Sequence, residues 1–194
     1  MGQFSRRSFI QMFGLLGISL PFAPIAFADD HSTPALKIIT HWYLTPDDWV
    51  PNNSQHPVIK FAMAEGISAD SGAMTAMLKQ AGWVTQWQAP LYSYQHFHST
   101  SHVLLTVLKG RGRMQLGGDR GEIVSLQTGD IYFLPAGTGQ RLMNSSGNFE
   151  VLAAYPEGQC WDICRSTLSQ TALKRLSQIP LPSGSSTVFV QLPV

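Results

Sequence analysis

The apolar positions of this chain change period along its length. Ala35 to Tyr43 carries Leu36, Ile38 and Ile39 in a strand-like run, and Val58 to Met63 repeats the pattern after a turn-rich stretch through Thr45-Pro46-Asp47-Asp48 and Pro51-Asn52-Asn53. From Ser71 to Gln80 the period becomes helical, with Ala73, Met74, Ala76, Met77 and Leu78 on it. Asp70 precedes this run as a capping residue and Gly82 follows it, so a helix over 71–80 is expected. Its methionines read as core contacts. From Trp83 onward the pattern breaks into short strands separated by turn residues, near Val84–Gln88, Ser93–Phe97, Val103–Lys109, Arg113–Leu116, Glu122–Ser125, Ile131–Leu134, Gln140–Asn144 and Phe149–Tyr155. Gly117-Gly118-Asp119-Arg120-Gly121 is the clearest hairpin turn, and Gly129-Asp130 turns into the next strand. Thr167 to Leu176 reads as a second helix, and Thr187–Leu192 as a short strand after a proline-rich stretch. The expectation is an all-β jelly-roll barrel with one helix before it and a short C-terminal helix.

The first 28 residues follow a different logic. Ser5-Arg6-Arg7-Ser8-Phe9-Ile10 is a twin-arginine pattern, Phe13 to Phe22 an apolar run, and Ala26-Phe27-Ala28 a small-residue cleavage site before Asp29. Pro21 and Pro24 interrupt a segment already shorter than the ~20 apolar residues a spanning helix needs. We therefore expect residues 1–28 to be a Tat-type signal peptide, removed to leave a periplasmic or secreted protein with no membrane attachment. A route that carries folded proteins allows a cofactor to be loaded before export. The expected organisation is then strands and a helix over 29–82, the barrel over 83–165, and a helical tail over 166–194.

Composition narrows the partners. The chain has 194 residues, 44% of them hydrophobic, which suits one domain with a sizeable core. A net charge of +1 and a pI near 7.9 give no electrostatic case for nucleic acid. Cys160 and Cys164 form a Cys-x3-Cys spacing that matches neither the redox Cys-x2-Cys pattern nor half of a zinc finger. In an oxidising compartment they could close a local disulfide if their Cα atoms lie within ~7 Å, or remain two small, partly buried side chains.

The stretch from Tyr94 to Asn144 carries the candidate chemistry. It contains His96-Phe97-His98 and then Gly110, followed by Gly129-Asp130, Pro135, Gly137, Gln140 and Asn144. Here the chain resembles the cupins, whose motifs are G-x5-H-x-H-x3–4-E-x6-G and G-x5-P-x-G-x2-H-x3-N. A narrower resemblance, to the YjlB-like cupins, rests on Gly82-Trp83 with Trp87, the run His96 to His102, Leu108-Lys109-Gly110, Gln115 to Gly118, Pro135-Ala136-Gly137, and Ala154-Tyr155-Pro156 with Gly158-Gln159. It implies the fold and no established reaction. The resemblance implies a metal held by two histidines, a glutamate and a third histidine, yet the glutamate position falls on Val103 and the third histidine position on Gln140.

Alternate residues of a strand share a face, so His96 and His98 project inward together, and two imidazoles suit Fe, Mn, Ni, Cu or Zn. Val103 donates nothing and the Gln140 carbonyl is a weak ligand. His102 is the candidate substitute, although a regular register sets it on the face opposite Val103. Tyr94, Gln140 and Arg113 are the candidate ligand contacts. Three functions remain open: a cupin binding a small molecule and a divalent metal, a metal-dependent oxygenase or isomerase acting on a small polar organic substrate, and a structural cupin whose outer surfaces make a homodimer. No Ser/His/Asp triad, phosphate loop or H-E-x-x-H helix supports hydrolysis by those routes.

Overall fold

The computed structural model describes residues 36–64 and 69–182. The twin-arginine leader and the strand expected at Thr187–Leu192 lie outside the described residues. Among the described residues no helix is long and apolar enough to cross a membrane. The described elements are β1 (Leu36–Trp42), β2 (Val58–Met63), α1 (Ser71–Gln80), β3 (Trp83–Ala89), β4 (Val103–Lys109), β5 (Arg111–Leu116), β6 (Glu122–Gln127), β7 (Asp130–Leu134), β8 (Gln140–Ser145), β9 (Glu150–Pro156) and α2 (Gln170–Leu176). Two antiparallel sheets form, one of six strands ordered β1-β2-β7-β4-β9-β3 and one of three ordered β6-β5-β8. This is the all-β jelly roll with two helices that the strand spacing predicts.

Strands β4, β7 and β9 read as largely apolar runs, Thr106 of β4 apart, because both of their faces are buried. Val103, Leu105 and Val107, with Tyr132, Leu134, Val151, Ala153 and Tyr155, face the barrel interior, where they meet Met114, Leu116 and Leu126 of the small sheet. Leu104, Ile131, Phe133, Leu152 and Ala154 face the other way, against Met74, Leu78 and Trp83. Helix α1 therefore seals the outer face of the large sheet. Asp70 caps it as expected, its carboxylate accepting from the Gly72 and Ala73 amides. Of the α1 methionines on the apolar stripe, Met74 is buried in the core and Met77, partly buried, packs against it.

The glycine-rich turn also forms. Leu116 pairs with Glu122, the Gly121 amide donates to the Gly118 carbonyl, and Gly117 and Gly118 take positive φ of 97° and 112°. A side chain at Gly118 would collide with Asp47, which instead accepts from the Arg120 amide and guanidinium.

Two expectations need correction. The second helix begins at Gln170 rather than Thr167, because the Ser169 hydroxyl accepts from the Ala172 amide and caps it there. The strand expected at Ser93–Phe97 is reduced to two isolated bridges, His96 with Gln140 and Phe97 with Cys164. The cause is a mismatch in spacing: Leu142 donates to the Tyr92 carbonyl and His96 donates to the Gln140 carbonyl, so four steps of one chain face two of the other. The excess residues loop out, and a continuous ladder cannot form.

Candidate functional site

The looped segment carries the site. Because residues 92 to 98 have too many steps for their partner strand, Tyr92, Tyr94, His96 and His98 bring their rings into a ladder with successive centroids 4.9, 5.5 and 5.7 Å apart, the first pair stacked, the second tilted and the third edge-on. Its inner end meets Tyr155 at 5.4 Å and Trp161 at 5.7 Å, and those two rings stack on each other. Beside the ladder the Arg165 guanidinium lies 4.5 Å over the ring of Tyr94, the second of the ladder's rings. Phe97, between the two histidines, points the opposite way and packs against Trp49.

Both histidines are buried and have their Nδ1 atoms committed. His96 Nδ1 donates to the Tyr94 carbonyl at 3.1 Å and His98 Nδ1 to the Asp162 carbonyl, since a carbonyl can only accept. Nε2 of each ring is therefore the unprotonated nitrogen. Burial is the main cause that lowers both pKa values, to about 4 for His96, so both are neutral at pH 7.

The surroundings of the two rings differ. Trp87 Nε1 donates to Tyr155 Oη at 3.1 Å, and Tyr155 Oη lies 3.3 Å from His98 Nε2. An indole N–H can only donate, so the Tyr155 hydroxyl hydrogen is directed at His98. The chain Trp87, Tyr155, His98, Asp162 is thus fully saturated. Burial raises the Tyr155 pKa and keeps its hydroxyl protonated. Asp162 is anchored in turn: its carboxylate accepts from the Ser99 amide at 2.6 Å, the Ser99 hydroxyl at 2.5 Å and the Cys164 thiol at 3.2 Å. Burial opposes that charge, and the Ser99 bonds outweigh it to hold the carboxyl below its usual range.

His96 is the ring with chemistry to spare. Among the described residues its Nε2 has no hydrogen-bond partner. Gln140, directly across the bridge, exchanges both backbone bonds with it. Gln140 also pairs with Leu116, an interior residue, so its carboxamide shares the inward face. That carboxamide likewise has no partner among the described residues, although the residue is 3% exposed.

The remaining expected contacts separate. Tyr94 lies beside His96. His102 faces the outer core, where its Nδ1 accepts from the Ala136 amide at 3.0 Å, its Nε2 donates to the Ile179 carbonyl at 3.2 Å, and its ring tilts over Phe133. It is a strut between segments, and the regular register of β4 is the reason. Arg113 is on the outer face of the small sheet, because β5 turns Met114 and Leu116 inward; it lines a groove of ≈ 800 Å³ with Arg111, Ser125, Gln127, Asn144 and Ser146. Val103 is sealed in the interior core. Cys160 and Cys164 are both free thiols, the first exposed. Asp162 and Arg165 were not apparent in the sequence, where the run from Cys160 to Arg165 shows only a cysteine spacing.

A four-ligand cupin metal centre does not fit these residues. Its glutamate and third histidine positions hold Val103 and Gln140, and the Tyr155 hydroxyl covers His98 Nε2. Among the described residues no group of three or more His, Cys, Asp or Glu side chains could hold a metal ion.

Residues 85–155 match the family model described as Cupin domain. Among solved structures, the chain is similar to an acireductone dioxygenase from Bacillus anthracis with a cadmium ion in its active center, at 17% identity and a TM-score of 0.27, covering 54% of this chain and 51% of that one. It is also similar to a vicilin from Corylus avellana (hazelnut), at 13% identity and a TM-score of 0.34, covering 75% and 43%. The chain thus spans about half of the dioxygenase and less than half of the vicilin. Among curated proteins it is 31% identical over 148 residues to the uncharacterized protein YjlB of Bacillus subtilis (strain 168), covering 75% of this chain and 88% of that protein. With its barrel, its two motif segments and that extent of shared sequence, the chain belongs to the cupin superfamily, in the family of YjlB.

Proposed function

We propose that this protein is an exported cupin that binds a small polar organic molecule in its barrel by hydrogen bonding to His96 and Gln140, with no transition metal in the site. The observation that carries this reading is the pairing of an uncommitted imidazole nitrogen with an uncommitted carboxamide on one inward-facing bridge. Together they offer an acceptor at Nε2 and both a donor and an acceptor at the amide. Polar groups held in a largely apolar surround are what orient a ligand in such a site. The rings from Tyr92 to Trp161, stacked at the two ends and edge-on at the histidines, supply aromatic surface beside them. Export rests on the twin-arginine leader with its cleavage site after Ala28, and a periplasmic form beginning near Asp29 is the outcome that supports it.

Elemental analysis of the protein purified from cells, paired with thermal shifts against a panel of polar metabolites, tests the reading. The expected result is transition metal far below stoichiometric, and at least one compound that stabilises the wild type but not His96→Ala or Gln140→Ala. Stoichiometric metal that His96→Ala loses would overturn it in favour of the metal-dependent oxygenase or isomerase. Compounds that shift all three proteins equally would place binding elsewhere.

A further inference from the structure

The charge beside the ring ladder bears on the class of molecule, given the binding site proposed above. The Arg165 guanidinium lies 4.5 Å over the Tyr94 ring, and Tyr94 is 5.5 Å from His96, so one cation stands with a single ring between it and the uncommitted imidazole. Among the described residues Arg165 has no carboxylate partner, as other exposed cations such as Arg111 and Arg113 have none; what distinguishes it is its place over Tyr94, next to His96. The nearest acid in sequence, Asp162, is spent on Ser99 and Cys164. No negative charge therefore neutralises the guanidinium from its own segment.

The position of Arg165 is also built. Cys164, its neighbour, exchanges both backbone hydrogen bonds with Phe97, at 3.0 and 2.9 Å, which ties the segment after β9 to the motif segment. Stacking on a ring holds the guanidinium plane and leaves its edge N–H groups free, the geometry that receives a carboxylate through two parallel bonds. Deeper in, His96 is neutral and Gln140 uncharged, so of these three residues Arg165 alone offers a ligand a charge.

We propose that the ligand is a small organic carboxylate, its anionic end received by Arg165 over Tyr94 and its polar remainder by His96 and Gln140. The site would then be polarised along the ladder, with the acid group outward and the uncharged part inward.

The test uses ligand-observed NMR and calorimetry on the full mature chain with matched probes: succinate, benzoate and 2-oxobutanoate against succinamide, benzamide and 2-oxobutanamide. The expected result is that at least one acid binds, that its amide binds about tenfold more weakly or not at all, and that Arg165→Gln removes the preference. Arg165→Lys should recover only part of it, because a lysine keeps the charge without the flat fork. Arg165 is exposed, so the variants should unfold at the wild-type temperature, which confirms that they fold. An amide that binds as well as its acid, or an acid that binds Arg165→Gln undiminished, overturns the proposal while leaving the hydrogen-bonding site intact. If neither acids nor amides bind, both the class and the site beneath it fall.

Discussion

His96 and Gln140 face each other across a bridge of two backbone hydrogen bonds, 3.2 Å from the His96 amide and 2.8 Å from the Gln140 amide. The residue that survives from the first cupin motif is thus aligned by backbone alone with the residue that replaces a histidine of the second. The framework is intact where its ligands are not. Gly137 explains part of this: its φ is 89°, its amide donates to the His98 carbonyl at 2.7 Å, and a Cβ there would stand 2.8 Å from the Asn52 carbonyl oxygen. The glycine is needed to bring the second motif against the first whatever chemistry the site performs.

If only the ligands are missing, restoring them should restore metal binding. Val103→Glu alone places a carboxyl among Leu105, Leu134 and Val107, and should cost about 2–4 kcal/mol of stability. Val103→Glu with Gln140→His supplies both missing ligands, and once the metal displaces the Tyr155 hydroxyl from His98 Nε2, Mn²⁺ or Ni²⁺ should recover much of that loss, by about 2.7 kcal/mol at a hundredfold excess over Kd, while the wild type is unmoved. Thermal unfolding with and without metal checks this. A double variant indifferent to metal would show that the backbone no longer presents a cupin site.

Tyr155 is the keystone of the inner polar chain. Tyr155→Phe leaves the Trp87 indole N–H and His98 Nε2 without their partner, at positions where His98 is buried. A loss of about 1–3 kcal/mol is expected in urea unfolding. A change below the error of the measurement would mean that water replaces the hydroxyl without cost.

The strands and the capped helix were legible because each rests on local chemistry: two-residue alternation or sealed apolar runs, Asp70 before 71–80, glycines where φ is positive. The two motifs likewise disclosed the barrel and the loss of Glu and His at Val103 and Gln140. What the sequence hid is non-local. That residues 92–96 carry two residues too many for their partner is visible only once Tyr92 is matched to Leu142 and His96 to Gln140. Asp162 reaches His98 across 64 positions, and Arg165 reaches Tyr94 from beyond the last barrel strand. No periodicity announces such contacts.

Thr106 offers a stability gain. It lies in β4 opposite Ile131 and Leu152, fully buried, and its hydroxyl has no partner among the described residues. Thr106→Val keeps the shape and removes an unsatisfied polar atom, so the variant should be about 1 kcal/mol more stable by chemical denaturation. A less stable variant would mean that the hydroxyl is solvated in solution.

The histidines set the response to acid. His96 and His102 are both held at about 4, chiefly by burial, against an ordinary value of 6.5. Above pH 6.5 neither the folded nor the unfolded chain protonates them, and they cost nothing. Between pH 6.5 and 4 the unfolded chain takes up protons that the folded one refuses, so stability falls as pH falls, by about 1.4 kcal/mol per pH unit for each histidine. For His102 the cause is geometric as well, because a proton on Nδ1 would confront the Ala136 amide hydrogen. Asp162, Asp47 and Glu150 have lowered carboxyl pKa values and enter only below their ordinary 3.8 to 4.5, which leaves the window from 6.5 down to about 4.5 to the imidazoles. Urea unfolding at half-unit steps should show that slope, and His102→Asn should reduce it by about 1.4 kcal/mol per pH unit, with His96 and the likewise lowered His98 and His56 carrying the remainder. A flat profile from pH 6 to 5 would mean that the folded protein admits the proton after all.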